Sequence, residues 1–373
     1  MENTKKLELA NLGWNTHFAT AFKTIAKPEL VPGRIALAEK NQYRILGEFG
    51  EINAEVAGKI RHQAKQKSQL PAVGDWVAMI IPDDGRALIE HILPRKTSVV
   101  RMASGSRKRN NPGMTEEQII AANVDIIFIV TGLDRDYNPR RIERYLTLVY
   151  NSGASPIIVL NKADMCDNVE ACRLEIEEIA FDVPIHTMSA LNEDDVEPLL
   201  AYFKPGLTGA LLGSSGAGKS TIINSLLGYE RQKVKVISDA VNKGQHTTTH
   251  RELIFIPNGG LLMDNPGMRE IQLSSQADDL SDTFGDIEEL ADSCRFNDCA
   301  HEAEPGCAVK QAIQAGELDV ARFESYQKLK REMFYQAERQ HKSANLVEKE
   351  KWQTLYKKAG KQFGLSPSKQ KNS

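Results

Sequence analysis

No apolar run in this chain approaches the ~20 residues that a membrane-spanning helix needs. The N-terminal MENTKKLELANLGW has neither an apolar signal core nor a small-residue cleavage site. The expectation is a protein that stays in the cytoplasm and makes no membrane contact. Cysteine is scarce: five residues, an odd number and too few for a disulfide framework. A strong net charge is missing too, at −3 over 373 residues, so composition alone names no polyanionic partner. The balance of 41% hydrophobic and 26% charged residues excludes a collagen-like, mucin-like or wholly disordered chain. At ~150 residues per domain, the length suggests two or three domains.

The charge that is present is unevenly placed. From Lys328 to the C-terminus the chain carries a net +8, leaving −11 on the remainder. A basic tail on an acidic body is common in proteins that touch RNA, although a solvated terminal helix gives the same pattern.

Residues 1–32 read as a polar extension without periodicity. Short β-type runs follow at 34–37, 42–46, 54–60, 75–81 and 87–93, separated by Gly, Pro, Asp and Asn clusters. Five such strands within 33–104 suggest a small OB-fold barrel. Its Lys and Arg exceed Asp and Glu by 11 to 8, a weak charge signal. Trp76 fits either a nucleic-acid contact or the barrel core. Residues 104–113, with Arg107-Lys108-Arg109 and Pro112-Gly113, have a linker composition. Beyond them the pattern changes to continuous apolar strands (124–130, 156–160, 209–212, 253–256, 261–263) alternating with helical stretches (140–150, 169–180, 196–201, 219–227). That alternation argues for a mostly parallel sheet covered on both faces across 105–275. A helical, cysteine-bearing segment (276–345) and a basic tail (346–373), with disorder expected in its last residues 366–373, complete the chain.

Gly213-Ser214-Ser215-Gly216-Ala217-Gly218-Lys219-Ser220, with Thr221 following, fits the phosphate-loop pattern between an apolar strand and a helix. Its backbone N–H groups and the helix N-terminus would face the β-phosphate. Lys219 would neutralise the β/γ oxygens, and Ser220 would offer an oxygen to Mg²⁺. Asn161-Lys162-Ala163-Asp164, directly after the strand at 156–160, chooses the base. A carboxylate at Asp164 can accept from the guanine N1–H and 2-amino group, donors that adenine does not offer in that arrangement. Ser189-Ala190 fits the small loop that supports the guanine O6 through a backbone N–H. Asp264, opening Asp264-Asn-Pro-Gly267, would hold Mg²⁺ through water, and the Gly267 N–H would sense the γ-phosphate. Residues 244–250 make a plausible first switch. One of Thr247, Thr248 and Thr249 would complete the Mg²⁺ shell; spacing does not choose among them, and Thr248 stands as the candidate.

Cys294, Cys299, His301 and Cys307 place three thiolates and an imidazole within fourteen residues. That set suits one tetrahedral Zn²⁺ with every position filled, hence a structural ion.

The order of these pieces is unusual. The guanine motif precedes the phosphate loop by about fifty residues, where ordinary small GTPases place it after. The chain from about residue 33 to 335 resembles the circularly permuted, ribosome small-subunit-dependent GTPases of the RsgA (YjeQ, YloQ) family. The likeness rests on Val73-Gly-Asp-Trp76-Val, Ala121-Ala-Asn-Val-Asp125, Arg144-Tyr-Leu, the nucleotide motifs, His246-Thr-Thr-Thr249 and the Cys₃His set. It implies an α/β fold: a circularly permuted P-loop GTPase domain with an N-terminal OB-fold β-barrel and a C-terminal zinc-binding helical domain. It also implies binding to the 30S ribosomal subunit and its 16S rRNA, late subunit maturation, and GTP turnover to GDP stimulated by the subunit. A monomer is expected.

GTPases commonly orient the attacking water with Gln just after D-x-x-G; here that position is Met268. His246 is the candidate replacement, and the resemblance points the same way; ordering of the loop and an RNA contact are the other roles open to it. Two rival classes are a nucleic-acid binder that only senses nucleotide and a P-loop ATPase or kinase. Asp164 argues against the second.

Overall fold

The computed structural model describes residues 7–25, 27–39, 42–82, 86–104, 115–229, 251–257, 259–264 and 280–341. The expectations for His246, Thr247, Thr248, Thr249, Gly267 and Met268 lie outside these residues.

Helix α1 (Thr16–Ile25) is followed by strands β1 (Val31–Glu39), β2 (Gln42–Gly47) and β3 (Gly50–Val56), helix α2 (Gly58–Gln63), β4 (Trp76–Ile80) and β5 (Ala87–Ile92). Strand β1 pairs with both β2 and β4, β3 lies parallel to β5, and β5 returns to β4, so five strands close into a barrel of OB type. Ile35, Ile45, Val77, Met79 and Ile89 fill its interior. The expected strand at 54–60 ends early. Ala54 and Val56 are buried, but the chain turns at Ala57-Gly58 and 58–63 wind into α2.

The extension also differs from its sequence reading. Leu12 and Phe18 are buried, and Trp14 meets Trp76 edge to face at 4.7 Å. The partners of these apolar residues lie in the barrel, so no local periodicity announced them. Trp76 itself is fully buried, which settles it as core.

Strands β6 (Ser98–Ser104) and β7 (Thr115–Ala122) pair antiparallel on either side of the segment with linker composition (104–113), of which 105–113 lie outside the described residues. Then follow β8 (Ile126–Gly132), α3 (Pro139–Ser152), β9 (Ser155–Asn161), α4 (Val169–Ile179), β10 (Ile185–Thr187), α5 (Glu193–Leu200), β11 (Thr208–Leu212) and α6 (Lys219–Leu227). After them come β12 (Glu252–Phe255), β13 (Leu261–Asp264), α7 (Ser281–Asp292), α8 (Ala308–Ala315) and α9 (Val320–His341).

Strands β10, β9, β8, β11 and β13 form a parallel sheet, and β12 lies antiparallel beside β13. Successive residues alternate between its faces. Ile127, Ile129, Ile158 and Leu160 enter one core with Ile142 and Leu146 of α3. Phe128, Val130, Ile157 and Val159 enter the other with Val196 of α5 and Ile222 and Leu226 of α6. This two-sided burial is why the strands read as unbroken apolar runs. Strand β12 also meets β1 at Leu37 and Glu252, where Arg44 pairs with Glu252 at 3.2 Å, so sheet and barrel are continuous. Among the described residues, no helix is long and apolar enough to cross a membrane.

Candidate nucleotide site and metal centre

Parallel pairing brings the carboxyl ends of β8, β9, β11 and β13 to one edge: Gly132 stands opposite Asn161, Leu212 opposite Ile129, and Ala210 opposite Met263. Ligands of open α/β sheets bind at such an edge. The phosphate loop leaves β11 here and α6 begins at Lys219, so the N–H groups of its first turn face the loop. Gly218 has φ +100°, and a Cβ there would stand 2.0 Å from Asn161 Nδ2, so only glycine allows the two loops to meet. Lys219 is buried and its ammonium donates to the Gly213 carbonyl at 2.7 Å.

Asn161 is the joint of the site. It is 2% exposed; its Nδ2 donates to the Ala217 carbonyl and its Oδ1 accepts from the Ala190 N–H, both at 2.8 Å. One amide thereby ties together the guanine loop, the phosphate loop and the support loop, which are 29 and 56 residues apart in sequence from Asn161. In the loop expected to support the guanine O6 through a backbone N–H, the Ala190 N–H donates to Asn161 and the Ser189 N–H donates to Asp195 at 2.9 Å. Ala163 begins a short 3₁₀ turn that presents Asp164 to solvent. Lys162 takes the left-handed backbone, φ +62°, and its ammonium bonds Asp134 at 2.6 Å. Asp264 ends β13 and is 5% exposed. With the Ser220 hydroxyl in the first turn of α6, it could offer hard oxygen donors of the kind Mg²⁺ demands. Ser214, Ser215, Gly216 and Thr221 lie in the same loop and helix start.

Two residues that sequence reasoning passed over sit in this site. Asp134 and Asp136 follow β8 directly. Asp134 holds Lys162, and Asp136 accepts from the Ser214 hydroxyl in the phosphate loop. Burial opposes the Asp134 charge, but the hydrogen bonds from Lys162 and the Asp136 N–H outweigh it and hold the carboxyl below its ordinary range. Their available signal was position: paired carboxylates immediately beyond a strand at the ligand-binding edge.

The metal candidates also converge. One ligand atom from each of Cys294, Cys299, His301 and Cys307 falls within 4.8 Å of every other. The Cys294 and Cys307 sulfurs are 3.9 Å apart, and His301 Nδ1 lies 3.6 and 3.4 Å from them. A tetrahedron with Zn–S of ~2.3 Å and Zn–N of ~2.0 Å has edges of roughly 3.8 and 3.5 Å, so the set fits zinc. His301 is placed by a left-handed backbone, φ +57°, and Cys307 caps α8 by accepting from the Lys310 N–H. Four protein ligands would leave a bound ion no open position, the arrangement of a structural rather than a catalytic zinc. Cys166 and Cys172 are free thiols elsewhere.

A phosphate loop, a guanine loop placed before it in the chain, and a closed barrel at the N-terminus define a circularly permuted GTPase. A family model described as RsgA GTPase matches residues 92–274. The small ribosomal subunit biogenesis GTPase RsgA of Syntrophotalea carbinolica is 46% identical over 352 residues, 94% of this chain and 96% of that protein. Its counterpart from Opitutus terrae is 44% identical over 360 residues, with the same coverage. Among solved structures, YjeQ from Thermotoga maritima aligns over 83% of this chain and 98% of its own at 27% identity and TM-score 0.57. YloQ, described as a circularly permuted GTPase, aligns over 84% and 96% at 25% identity and TM-score 0.56. The chain belongs to the RsgA GTPase family and is a GTP hydrolase, which implies Mg²⁺ with its nucleotide.

Proposed function

We propose that this GTPase binds the 30S ribosomal subunit, contacts its 16S rRNA, and acts late in the subunit's maturation, converting GTP to GDP and phosphate faster when the subunit is bound. The carrying observation is that proteins named for small ribosomal subunit biogenesis are 46% and 44% identical to this chain across 94% of its length, and that this chain flanks its permuted nucleotide site with a barrel and a Cys₃His cluster. In this reading the barrel (33–104), the zinc-bearing unit (276–345) and the basic tail (346–373) grip rRNA around the GTPase unit (105–275). The protein works as a cytoplasmic monomer without membrane contact.

The phosphate-loop amides and Lys219 hold the phosphates; Ser220, Asp264 and one of the first-switch threonines (Thr248 the candidate) surround the Mg²⁺ position; Gly267 registers the γ-phosphate. Met268 cannot orient water, and His246 takes that role by accepting a hydrogen bond from the nucleophile. His246→Ala then lowers turnover by about 10²-fold or more with GTP affinity nearly intact. Equal losses in binding and turnover, measured by nucleotide titration beside single-turnover hydrolysis, would remove His246 from catalysis.

The decisive test is GTP hydrolysis by the purified protein alone, with isolated small subunits, and with large ones. Strong stimulation by small subunits only is expected. No stimulation, with tight GTP binding, would reduce the protein to a nucleotide sensor with another partner.

A further inference from the structure

One short turn touches both halves of the nucleotide site and, through a single helix, the zinc-bearing end of the chain. The turn at 134–136 leaves β8 at the ligand-binding edge. Asp134 Oδ2 accepts from Lys162 of the guanine loop at 2.6 Å, and its Oδ1 accepts from the Asp136 N–H at 3.0 Å. Asp136 accepts from the Ser214 hydroxyl of the phosphate loop and pairs with Arg141 in the first turn of α3. Asn138 caps that helix by accepting from the Arg141 N–H, and Pro139 opens it, so the turn and the helix start form one rigid piece.

The opposite face of α3 holds α7 and α9. Glu143 is fully buried, and its Oε1 accepts from Arg140 at 2.6 Å and from Arg322 of α9 at 2.9 Å. Arg322 continues to Asp286 of α7 at 2.8 Å and to the Thr283 carbonyl at 2.9 Å. Arg140 also reaches Asp319, and Arg144 forms a two-pronged pair with Glu332, one prong at 2.7 Å. Thr147 meets Thr283 at 3.1 Å. A buried carboxylate shared by two guanidiniums has few acceptable geometries, because losing either partner strands a charge. The seam therefore holds α3 in one position or lets go of it.

We infer that Asp134 and Asp136 are positioning residues for the nucleotide, and that docking of α7 and α9 on α3 sets where they stand. Helices that leave α3 release its first turn, Asp136 loses its hold on Ser214, and the grip on base and phosphates slackens together. Linkage makes the effect reciprocal: nucleotide binding tightens the docking by the same factor. This route between nucleotide and zinc-bearing helices runs through α3 and is separate from the covalent path of the chain from Asp264 to α7.

The test uses the full-length protein and a fluorescent GDP analogue. Arg144→Glu breaks a docking pair that touches no nucleotide-site residue, and should raise Kd about fivefold, the low end of allosteric couplings. Adding Glu332→Arg in the same chain should restore it to within about twofold, which general destabilisation would not allow. Asp136→Asn should raise the Kd of the same analogue by about tenfold, more than the seam variant, because it removes the hold on Ser214 directly. Hydrogen exchange in 320–335 should slow when GDP binds. Unchanged affinity in Arg144→Glu while exchange reports α9 released overturns the inference, as does exchange in α9 indifferent to GDP. If Arg144→Glu does not fold, Asp319→Ala, at an exposed position of the same seam, replaces it; unchanged affinity there overturns the inference equally.

Discussion

Asp164→Asn will cost this GTPase most of its affinity for GDP and GTP and return it for xanthosine nucleotides. In the proposed complex the wild-type carboxylate would accept from both guanine N1–H and the 2-amino group, two charge-assisted hydrogen bonds worth about 1.5–3 kcal/mol each. The asparagine oxygen can still accept from N1–H, but its amide then places a donor against the 2-amino donor. The expected loss is about 10²–10⁴-fold in affinity. Xanthine carries a carbonyl where guanine carries the amine, so the same amide becomes complementary to it. The loop itself should be undisturbed. Asp164 is exposed, and its turn is held by backbone bonds from Met165 to Lys162 at 2.9 Å and from Ala163 to Met188 at 3.1 Å. Competition titrations with GDP and xanthosine diphosphate on both proteins check this. A variant that binds GDP within about threefold of wild type, or that does not prefer xanthosine diphosphate, would remove Asp164 from base recognition and reopen an adenine-nucleotide reading.

Asp164 was legible in the sequence because its chemistry is local. Asn161, Lys162, Ala163 and Asp164 are consecutive, the phosphate loop is one eight-residue run, and the Cys₃His set spans fourteen residues, so each ligand set is complete within one segment. Helix α6 was readable to its ends because the phosphate loop stops at Lys219 and Gly228 closes it in the left-handed conformation. What was hidden is what depends on distant partners. Asp136 acquires meaning from Ser214, 78 residues away, and Glu143 from Arg322, 179 residues away. The β6–β7 hairpin was obscured by the basic, Gly- and Pro-bearing stretch between its strands, which reads as a linker when the pairing across it is unseen. The aromatic residues of the N-terminal segment have their complement in Trp76 and share no period of their own.

That segment leads to the largest expected effect on stability, at Arg34. The side chain is 1% exposed and lies under three separate pieces of chain. It donates to the Leu12 carbonyl at 2.6 Å, the Gly74 carbonyl at 3.2 Å and the Asn123 carbonyl at 2.8 Å, with its guanidinium 6.0 Å from the Trp76 ring centre. Burial lowers its pKa to about 10, against the pull of Asp125 and Asp75, so it keeps its charge at neutral pH. Gly13, φ +90°, sits beside this junction, where a Cβ would come within 2.8 Å of the Gly206 carbonyl. Arg34→Met preserves length and apolar bulk; the Gly74 carbonyl keeps the Asn123 amide at 3.0 Å, but the buried Leu12 and Asn123 carbonyls must find new donors, at about 1–3 kcal/mol each. Some will reach water as the N-terminal segment loosens, so the expected loss is about 3–5 kcal/mol. Urea unfolding should show the fall, and hydrogen exchange should place it: faster exchange in 9–25 and at the 122–124 corner, little change in β9 and β10 at the far edge of the sheet. Arg34→Lys should recover only a fraction, because one ammonium cannot reach three carbonyls that a planar fork serves at once. A loss below about 1 kcal/mol would show the N-terminal helix to be held by Trp14, Leu12 and Phe18 packing alone. In that case barrel and GTPase sheet would owe their fixed relation to the β1–β12 pairing, and Glu252 would be the residue to change next.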